Sequence, residues 1–304
     1  MKYNLITIMG PTAVGKTGIA ARLADEFNGE IISADSRQVY RGMDIGTGKD
    51  LEDYIVGQNK IKYHMIDICD PREEFNVFDF KSNFITAFEK INSSKKIPFL
   101  VGGSGLYLSS IVQNYQMRKV NFNSPKYVEL SKMEVEKLRD KLLSLKPDIH
   151  NTTDLIDKER IIKAIIIEES PKISEKPDIK NIHSLNICIT GERAEIKKNI
   201  TDRLISRLKN GMVDEVKALV SQGVSFDKLM FFGLEYKFIA KYLKGEFNYS
   251  KMVQNLNTAI HQFSKRQMTW FRKMEKEGLE IHWFSNREYE SISSLIREKY
   301  FNGK

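Results

Sequence analysis

The chain has 304 residues, of which 41% are hydrophobic and 29% charged, so it is long enough for a full apolar core and is neither disordered nor fibrous in composition. Lys and Arg outnumber Asp and Glu by 48 to 40, and this excess of positive charge favours a polyanionic partner without identifying one. Cys69 and Cys188 lie far apart in the sequence, and no apolar window approaches the length of a membrane span, so we expect a cytoplasmic protein with no membrane partner.

The first third of the chain alternates short apolar strands with amphipathic helices. The predicted strands are residues 5–9, 30–34, 63–68 and 97–101, and the predicted helices between them include residues 17–27 and 77–92. This order predicts an α/β fold, in which a parallel sheet of the P-loop NTPase type is flanked by helices. In such a fold, function resides at the carboxyl ends of the strands.

The middle of the chain has a different pattern. From about residue 115 to residue 184 no strand is predicted, charged helical sequence dominates, and the borders are polar and contain proline. We therefore expect a small all-helical insertion domain over residues 115–184, inserted into a core of residues 1–114 and 185–304. After it we predict strands at 185–190 and 279–284, helices over 193–221, and a long helix over 252–276.

The segment GPTAVGKT is the first motif with chemical meaning. Its residues are Gly10, Pro11, Thr12, Ala13, Val14, Gly15, Lys16 and Thr17. It matches the phosphate loop, GxxxxGK followed by Ser or Thr, between a strand and a helix. Backbone N–H groups of such a loop surround a diphosphate, while Lys16 supplies a positive charge and Thr17 can ligate Mg²⁺. The motif alone leaves open an ATPase, a GTPase, a small-molecule kinase or another enzyme that acts on a diphosphate ester.

Three polar residues follow other predicted strands. Asp35 comes directly after the strand at 30–34, where it is either a general base or a turn aspartate. Asp67 either holds a metal ion through water or belongs to a turn. Ser104, in VGGSGLY, either offers its hydroxyl to a ligand or lies in a sharp glycine turn.

Two basic segments come late in the chain. Arg203 and Arg207 lie one helical turn apart, so both can point at one anion or can belong to a solvated face. HQFSKRQMTWFRKM predicts an amphipathic helix that either only packs on the core or also binds phosphates. Its predicted apolar side contains Phe263, Met268, Trp270, Phe271 and Met274, and its basic side contains Lys265, Arg266, Thr269 and Lys273.

Taken together, the motifs resemble those of the tRNA dimethylallyltransferases, also called tRNA isopentenyltransferases. In order they are GPTAVGKT, DSRQVYRGMDIGTGK, YHMIDICDPREEFNVFDF, VGGSGLY, ERIIKAI, NGMVDEV and SKRQMTWFRK, and they extend over nearly the whole chain. DSRQVYRGMDIGTGK and KRQMTWFR are more specific than the phosphate loop, because nucleotide kinases lack them. The segment FFGLEYKF departs from the family's usual Gly-Tyr-Lys-Glu order, since Leu234 and Glu235 intervene.

The resemblance implies a reaction. A dimethylallyl group would move from dimethylallyl diphosphate to the exocyclic N6 amine of the adenosine 3′-adjacent to the anticodon, with Mg²⁺ as cofactor. Lys16, Arg203, the loop amides and a metal ion on Thr17 would stabilise the departing diphosphate. Asp35 would act as general base, and the hydroxyl of Ser104 would contact the reacting region.

The resemblance also implies tRNA contacts and a base extruded from its stack. The expected contact residues are Asp35, Ser36, Arg37, Gln38, Ser104, Glu159, Arg160, Ile161, Ile162, Lys163, Lys265, Arg266 and Gln267. We expect the partners to be the anticodon stem-loop of tRNA and dimethylallyl diphosphate, and the protein to be a monomer.

Three alternatives remain open from the sequence. An adenylate isopentenyltransferase would prenylate free AMP, ADP or ATP, although the basic helix and the helical insertion argue against it. A nucleotide or small-molecule kinase would use the same loop for ATP and would transfer a phosphoryl group. A non-enzymatic RNA-binding protein would leave Asp35 beside an intact phosphate loop unexplained.

Overall fold

The structure is a computed structural model that describes residues 2–115, 120, 122, 124–147, 155–170 and 181–302. The chain divides into two compact units, one of residues 1–115 with 179–304 and one of residues 116–178. The smaller unit falls within the range predicted as an insertion. The borders predicted for that insertion lie partly outside the described residues.

The larger unit is built on a parallel β-sheet. Its strands are β1 (Leu5–Met9), β2 (Gly29–Ser33), β5 (Tyr63–His64), β6 (Ile97–Gly102), β7 (Ser184–Thr190) and β8 (His282–Ser285), while β3 (Ile55–Val56) and β4 (Asn59–Lys60) form a separate antiparallel pair. The six-stranded sheet has the order β5–β2–β6–β1–β7–β8, and all its neighbouring strands run parallel. This confirms the predicted α/β fold with a parallel sheet flanked by helices.

Helices cover the sheet and form the remainder of the larger unit. They are α1 (Lys16–Glu26), α2 (Val77–Ser93), α3 (Gly105–Val112), α7 (Arg193–Lys209), α8 (Met212–Ser221), α9 (Phe226–Leu229), α10 (Leu234–Leu243), α11 (Tyr249–Lys276) and α12 (Tyr289–Ile296). The smaller unit contains α4 (Pro125–Ser131), α5 (Val135–Leu145) and α6 (Lys158–Glu169). Within the described residues, no helix is both long enough and apolar enough to cross a membrane.

The alternation of side chains along β1 explains why helices pack on both faces of the sheet. Ile6 and Ile8 belong to one apolar cluster, which includes Leu23 of α1, whereas Leu5 and Met9 belong to another. The second cluster also contains buried residues of α2, α3 and α11, among them Phe80, Phe84, Leu108, Phe271 and Met274. Because successive side chains of a strand point to opposite faces, a fully apolar strand is buried on both sides.

Two predicted strands have different limits in the structure. The strand predicted at residues 63–68 ends at His64, because Met65 and Asp67 adopt left-handed backbone conformations with φ of 67° and 57°. An extended ladder cannot continue through such residues. The last strand begins at His282 rather than at residue 279, so the sequence prediction was wrong at these two boundaries.

The smaller unit has an apolar core of its own. Leu138 and Leu142 of α5 pack with Ile161, Ile162 and Ile165 of α6, and all five side chains are buried. The helical spacing of these residues gives each helix one apolar face. The predicted helical character of this part of the chain is therefore confirmed for its described residues.

Candidate active site

Three strands of the sheet deliver polar groups to one cavity of about 600 Å³. The phosphate loop follows β1, Asp35 follows β2 and Ser104 follows β6, and residues from all three segments line the cavity. Arg203 and Arg207 of α7 line it as well. Parallel strands place their carboxyl ends at one edge of the sheet, which explains why segments distant in sequence meet here.

The conformation of the phosphate loop depends on two glycines. Gly15 has a left-handed φ of 84° and directly precedes α1, which begins at Lys16. A Cβ on Gly10 would lie 2.6 Å from the carbonyl oxygen of Ile189, so only glycine fits against the end of β7. The first N–H groups of α1 have no partner within the helix and are available to an anion.

Lys16 and Thr17 line the cavity at the start of α1. Nζ of Lys16 donates a hydrogen bond to the carbonyl oxygen of Pro11 at 3.3 Å. Burial, reinforced by the nearby positive charge of Arg203, lowers the pKa of Lys16 to about 8. Burial and a neighbouring positive charge thus both disfavour the protonated form of Lys16 in the free protein.

One oxygen of Asp35 is held by the backbone. Oδ1 accepts hydrogen bonds from the N–H groups of Arg37 at 2.8 Å and Gln38 at 3.3 Å. Within the part of the chain that the structure describes, Oδ2 has no hydrogen-bond partner. The carboxylate is thus fixed in orientation through one oxygen, while the other remains available to a ligand.

Ser104 and Gln38 connect the loop after β2 to its surroundings. The hydroxyl of Ser104 accepts a hydrogen bond from the N–H of Ser36 at 3.3 Å. The side-chain amide of Gln38 donates to the carbonyl oxygen of Gly48 at 3.0 Å, and its oxygen accepts from the hydroxyl of Ser33 at 3.0 Å. The contact residues predicted in these two segments therefore lie together at the cavity. They are Asp35, Ser36, Arg37, Gln38 and Ser104.

Arg203 and Arg207 both contact Asp50. Nη2 of Arg203 lies 2.5 Å from Oδ2 of Asp50, and Nη2 of Arg207 lies 3.1 Å from the same oxygen. Burial and the positive charge of Arg207 lower the pKa of Arg203. The two arginines thus lie together at the cavity and share one carboxylate, which favours the alternative in which both point at one anion.

Glu215 of α8 is a structural residue of the site that the sequence analysis did not single out. Its carboxylate accepts hydrogen bonds from three successive backbone N–H groups, those of Asp44 at 2.8 Å, Ile45 at 2.7 Å and Gly46 at 3.0 Å. It also accepts a hydrogen bond from the hydroxyl of Tyr236 at 2.7 Å. The available signal was the motif NGMVDEV, which is part of the family resemblance and contains Glu215.

Gln267 connects two loops of the site. Its oxygen accepts from the N–H of Thr12 at 2.9 Å, and its amide donates to the carbonyl oxygen of Gly103 at 2.9 Å. The residue is 6% exposed, so its side chain links the phosphate loop to the turn after β6. Lys265 and Arg266, predicted with it as tRNA contacts, are exposed on α11.

The predicted apolar side of α11 needs one correction. Phe271 and Met274 are buried as expected, but Phe263 is 38% exposed and lines the cavity. Leu234 and Glu235, the two residues that depart from the family pattern, also line the cavity. Burial raises the pKa of Glu235.

Asp67 pairs with a buried lysine. Lys49 is 2% exposed and contacts Asp67 as well as Asp44, the latter at 2.5 Å, and donates to the carbonyl oxygen of Tyr40 at 2.8 Å. This pairing and the left-handed backbone of Asp67 favour the turn role over a metal-holding role.

The remaining predicted contact residues lie on α6 in the smaller unit. Glu159 and Lys163 form an ion pair at 2.6 Å, and Arg160 lies between them on the same helix. Ile161 and Ile162 are buried in the core of that unit. Their side chains stabilise the unit, whereas those of Glu159 and Lys163 are partly exposed.

Comparisons with known proteins all point to one family. A family model described as IPP transferase matches residues 38–274. A protein named tRNA dimethylallyltransferase 2 from Syntrophotalea carbinolica is 47% identical, covering 98% of this chain and 99% of its own. A protein named tRNA dimethylallyltransferase 1 from Syntrophus aciditrophicus is 46% identical, covering 98% of each.

The fold is also found in a solved structure of similar sequence. The crystal structure of a tRNA isopentenylpyrophosphate transferase from Bacillus halodurans is 31% identical, with a TM-score of 0.72. The similarity covers 99% of this chain and 97% of that one. It therefore includes both the sheet that positions the cavity and the helical residues in the middle of the sequence.

Proposed function

The chain belongs to the IPP transferase family, and from this membership we propose that it transfers a dimethylallyl group from dimethylallyl diphosphate to tRNA. The acceptor in this proposal is the exocyclic N6 amine of the adenosine 3′-adjacent to the anticodon. The family predicted from the sequence motifs is confirmed. The observation that carries the proposed chemistry is that Lys16, Arg203 and Asp35 line one cavity.

The cationic side of the cavity suits a diphosphate leaving group. When an allylic C–O bond breaks, negative charge builds on the departing diphosphate, and fixed positive charge at that position lowers the barrier. Lys16, Arg203, Arg207 and the N–H groups at the start of α1 supply it. In this role the phosphate loop binds the group that leaves, and no phosphoryl group is transferred.

Asp35 suits the acceptor side of the reaction. The adenine amine attacks the allylic carbon, the C–O bond to the diphosphate breaks, and the amine loses one proton. Oδ2 of Asp35 can accept this proton, because Oδ1 is occupied by the N–H groups of Arg37 and Gln38. The hydroxyl of Ser104, which contacts the same loop, helps to hold the acceptor.

A magnesium ion fits the donors that are present. In the described part of the chain, no group of three or more His, Cys, Asp or Glu residues could hold a metal ion. The hydroxyl of Thr17 is a protein ligand available at the phosphate loop, and a site with so few protein ligands is expected when diphosphate and water supply the other oxygens. Bound there, Mg²⁺ would neutralise part of the charge of the leaving group.

The proposed tRNA contacts include residues outside the cavity. The segment Asp35, Ser36, Arg37 and Gln38 at the cavity would contact the extruded base, and exposed Lys265 and Arg266 would contact phosphates. Glu159, Arg160 and Lys163 of the smaller unit are proposed as further contacts. The predicted monomeric state and cytoplasmic location stay predictions.

A transfer assay tests the proposal. Purified protein is incubated with Mg²⁺, dimethylallyl diphosphate and an unmodified anticodon stem-loop, and the nucleosides are analysed by mass spectrometry. We expect N6-dimethylallyladenosine at the position 3′ of the anticodon. A stem-loop with guanosine at that position is the control, and no transfer to the adenosine substrate would contradict the proposal.

Two added reactions separate the alternatives. Excess AMP, ADP or ATP in the same assay would become prenylated if the protein were an adenylate isopentenyltransferase. ATP with nucleoside monophosphates as acceptors, but without dimethylallyl diphosphate, would yield ADP if the protein were a nucleotide kinase. Under our proposal, prenylation stays on the stem-loop and ATP is not consumed.

A further inference from the structure

We infer that Asp50 is an internal competitor of the diphosphate: it holds Arg203 and Arg207 when the cavity contains no diphosphate and gives them up when diphosphate binds. The inference rests on the proposed function only in assuming that a diphosphate enters this cavity. It assigns a role in diphosphate affinity and release to a residue just beyond the DIGTGK sequence. Asp50 would be a positioning residue, since it acts through the two arginines.

The geometry places one carboxylate oxygen between the two guanidinium groups. Oδ2 of Asp50 accepts from Nη2 of Arg203 at 2.5 Å and from Nη2 of Arg207 at 3.1 Å. Asp50 and both arginines line the same cavity as the phosphate loop. An anion that enters the loop therefore meets arginines that already have a partner.

The positive charges around Asp50 favour such a partner in the free protein. Burial is the main cause of the lowered pKa values of Lys16 and Arg203, and repulsion between neighbouring cations adds to it, since Arg203 acts on Lys16 and Arg207 acts on Arg203. Asp50 offsets part of this repulsion. A diphosphate carries more charge than one carboxylate and can contact all three cations at once, so it is expected to displace Asp50.

The exposure of these groups fits a contact that is exchanged rather than permanent. The side chain of Asp50 is 44% exposed and that of Arg203 is 39% exposed, whereas that of Arg207 is 17% exposed. Ion pairs at such positions are weak, because solvent screens both charges. Asp50 can therefore hold the arginines in place without excluding the substrate.

The backbone of this segment is shaped for the contact. Asp50 has a left-handed φ of 38°, which is uncommon for a residue other than glycine. A Cβ on Gly48 would lie 1.8 Å from Nη2 of Arg207, so the absence of a side chain there leaves room for the guanidinium. The segment thus leaves room for the guanidinium of Arg207 at Gly48. Its Asp50 offsets the positive charge of both Arg203 and Arg207.

The main test measures binding of inorganic diphosphate by calorimetry in buffer with Mg²⁺. In Asp50→Asn the side chain keeps its size and tolerates the left-handed backbone, but it loses its charge. We expect this variant to bind diphosphate about three- to tenfold more tightly than the unchanged protein. Its prenyl transfer should accordingly show stronger inhibition by the diphosphate product.

Glu52→Gln is the matched control. It removes the same charge two residues away, on an exposed side chain, without removing an arginine partner. Its diphosphate affinity should stay within about twofold of the unchanged protein. A Glu52→Gln effect as large as that of Asp50→Asn would overturn the inference, because net charge alone would then explain both results.

Further outcomes are equally decisive. Unchanged or weaker diphosphate binding in a folded Asp50→Asn variant overturns the inference, as does the lack of diphosphate binding in every variant. Asp50→Glu restores the charge and should return the affinity toward that of the unchanged protein. Tighter diphosphate binding in Asp50→Asn, together with no prenyl transfer by the unchanged protein, would support the inference while contradicting the proposed function.

Discussion

The two ends of strand β2 carry carboxylates with opposite surroundings. Glu30, near the start of β2, lies 2.7 Å from Nε2 of His64, 3.1 Å from Nζ of Lys62 and 3.0 Å from Nζ of Lys96. Its side chain is 3% exposed. Past the other end of β2, Asp35 has an oxygen without a partner among the described residues.

The cations at the two ends differ in the same way. Those around Glu30 share a carboxylate that is almost fully enclosed, and their hydrogen bonds satisfy it. At the cavity, the partly exposed Asp50 lies between Arg203 and Arg207, and Lys16 lines the same cavity. The comparison teaches that a satisfied charge cluster stabilises the fold, whereas partly exposed cations at the carboxyl ends of the strands remain accessible to a ligand.

The largest effect is expected from Asp35→Asn. Asparagine can still accept hydrogen bonds from the N–H groups of Arg37 and Gln38, but it cannot take the proton of the amine. We expect kcat for prenyl transfer to fall by about 10²- to 10⁴-fold, with diphosphate affinity nearly unchanged. Single-turnover transfer to a stem-loop measures this, and a variant within tenfold of the unchanged protein would exclude Asp35 as the base.

A smaller effect is expected from Glu215→Gln, which removes the negative charge that holds the loop of residues 44–46. The carboxylate holds three N–H groups of the loop that also contacts Gln38 through Gly48. Its replacement should shift this loop and lower kcat/KM by about 10- to 100-fold. Asp214→Asn, which alters the neighbouring exposed aspartate, is the control and should remain near full activity. Equal activity of both variants would show that the loop does not need Glu215.

The pH dependence of transfer tests the cationic end directly. Burial and Arg203 lower the pKa of Lys16 to about 8, so Lys16 is protonated below this pH and loses its charge above it. We expect kcat/KM to decline above about pH 8, by up to tenfold per unit. Lys16→Arg keeps its charge at higher pH and should lose this decline. A decline of the same size and position in Lys16→Arg would assign it to another group.

The smallest effect on activity is expected at the other end of β2. Burial alone would raise the pKa of Glu30, but hydrogen bonds from His64, Lys96 and Lys62 outweigh it and lower the value from 4.5 to about 2. The folded state therefore gains stability from this carboxylate above about pH 4.5, and the gain is lost as the pH falls toward about 2.

Glu30→Gln should accordingly reduce the free energy of unfolding at pH 7 by about 1–3 kcal/mol. It should also make this free energy depend less on pH in the acidic range. Denaturant unfolding at several pH values measures both effects. The kcat of the folded variant should equal that of the unchanged protein. A large loss of kcat without a loss of stability would show that the two ends of β2 are not separate in function.

Much of the fold and the centre of the site could be predicted from local sequence. The strand, glycine turn and helix of GPTAVGKT are encoded within neighbouring residues, and the structure has the loop and α1 within one residue of the prediction. The strand at residues 63–68 was predicted too long, because apolar side chains alone do not show that Met65 and Asp67 adopt left-handed backbone conformations.

The sequence by itself determined the parallel sheet, the phosphate loop and the family, because each depends on residue types at short, fixed spacings. Only the tertiary structure decided that Arg203 meets Asp50, 153 residues away, that Glu215 holds the loop of Asp44, and that Gln267 is buried between Thr12 and Gly103. A charged or amide side chain has the same local pattern whether it faces solvent or a partner. Whether the side chain faces solvent or a partner is decided by elements that pack together only when the whole sheet has formed.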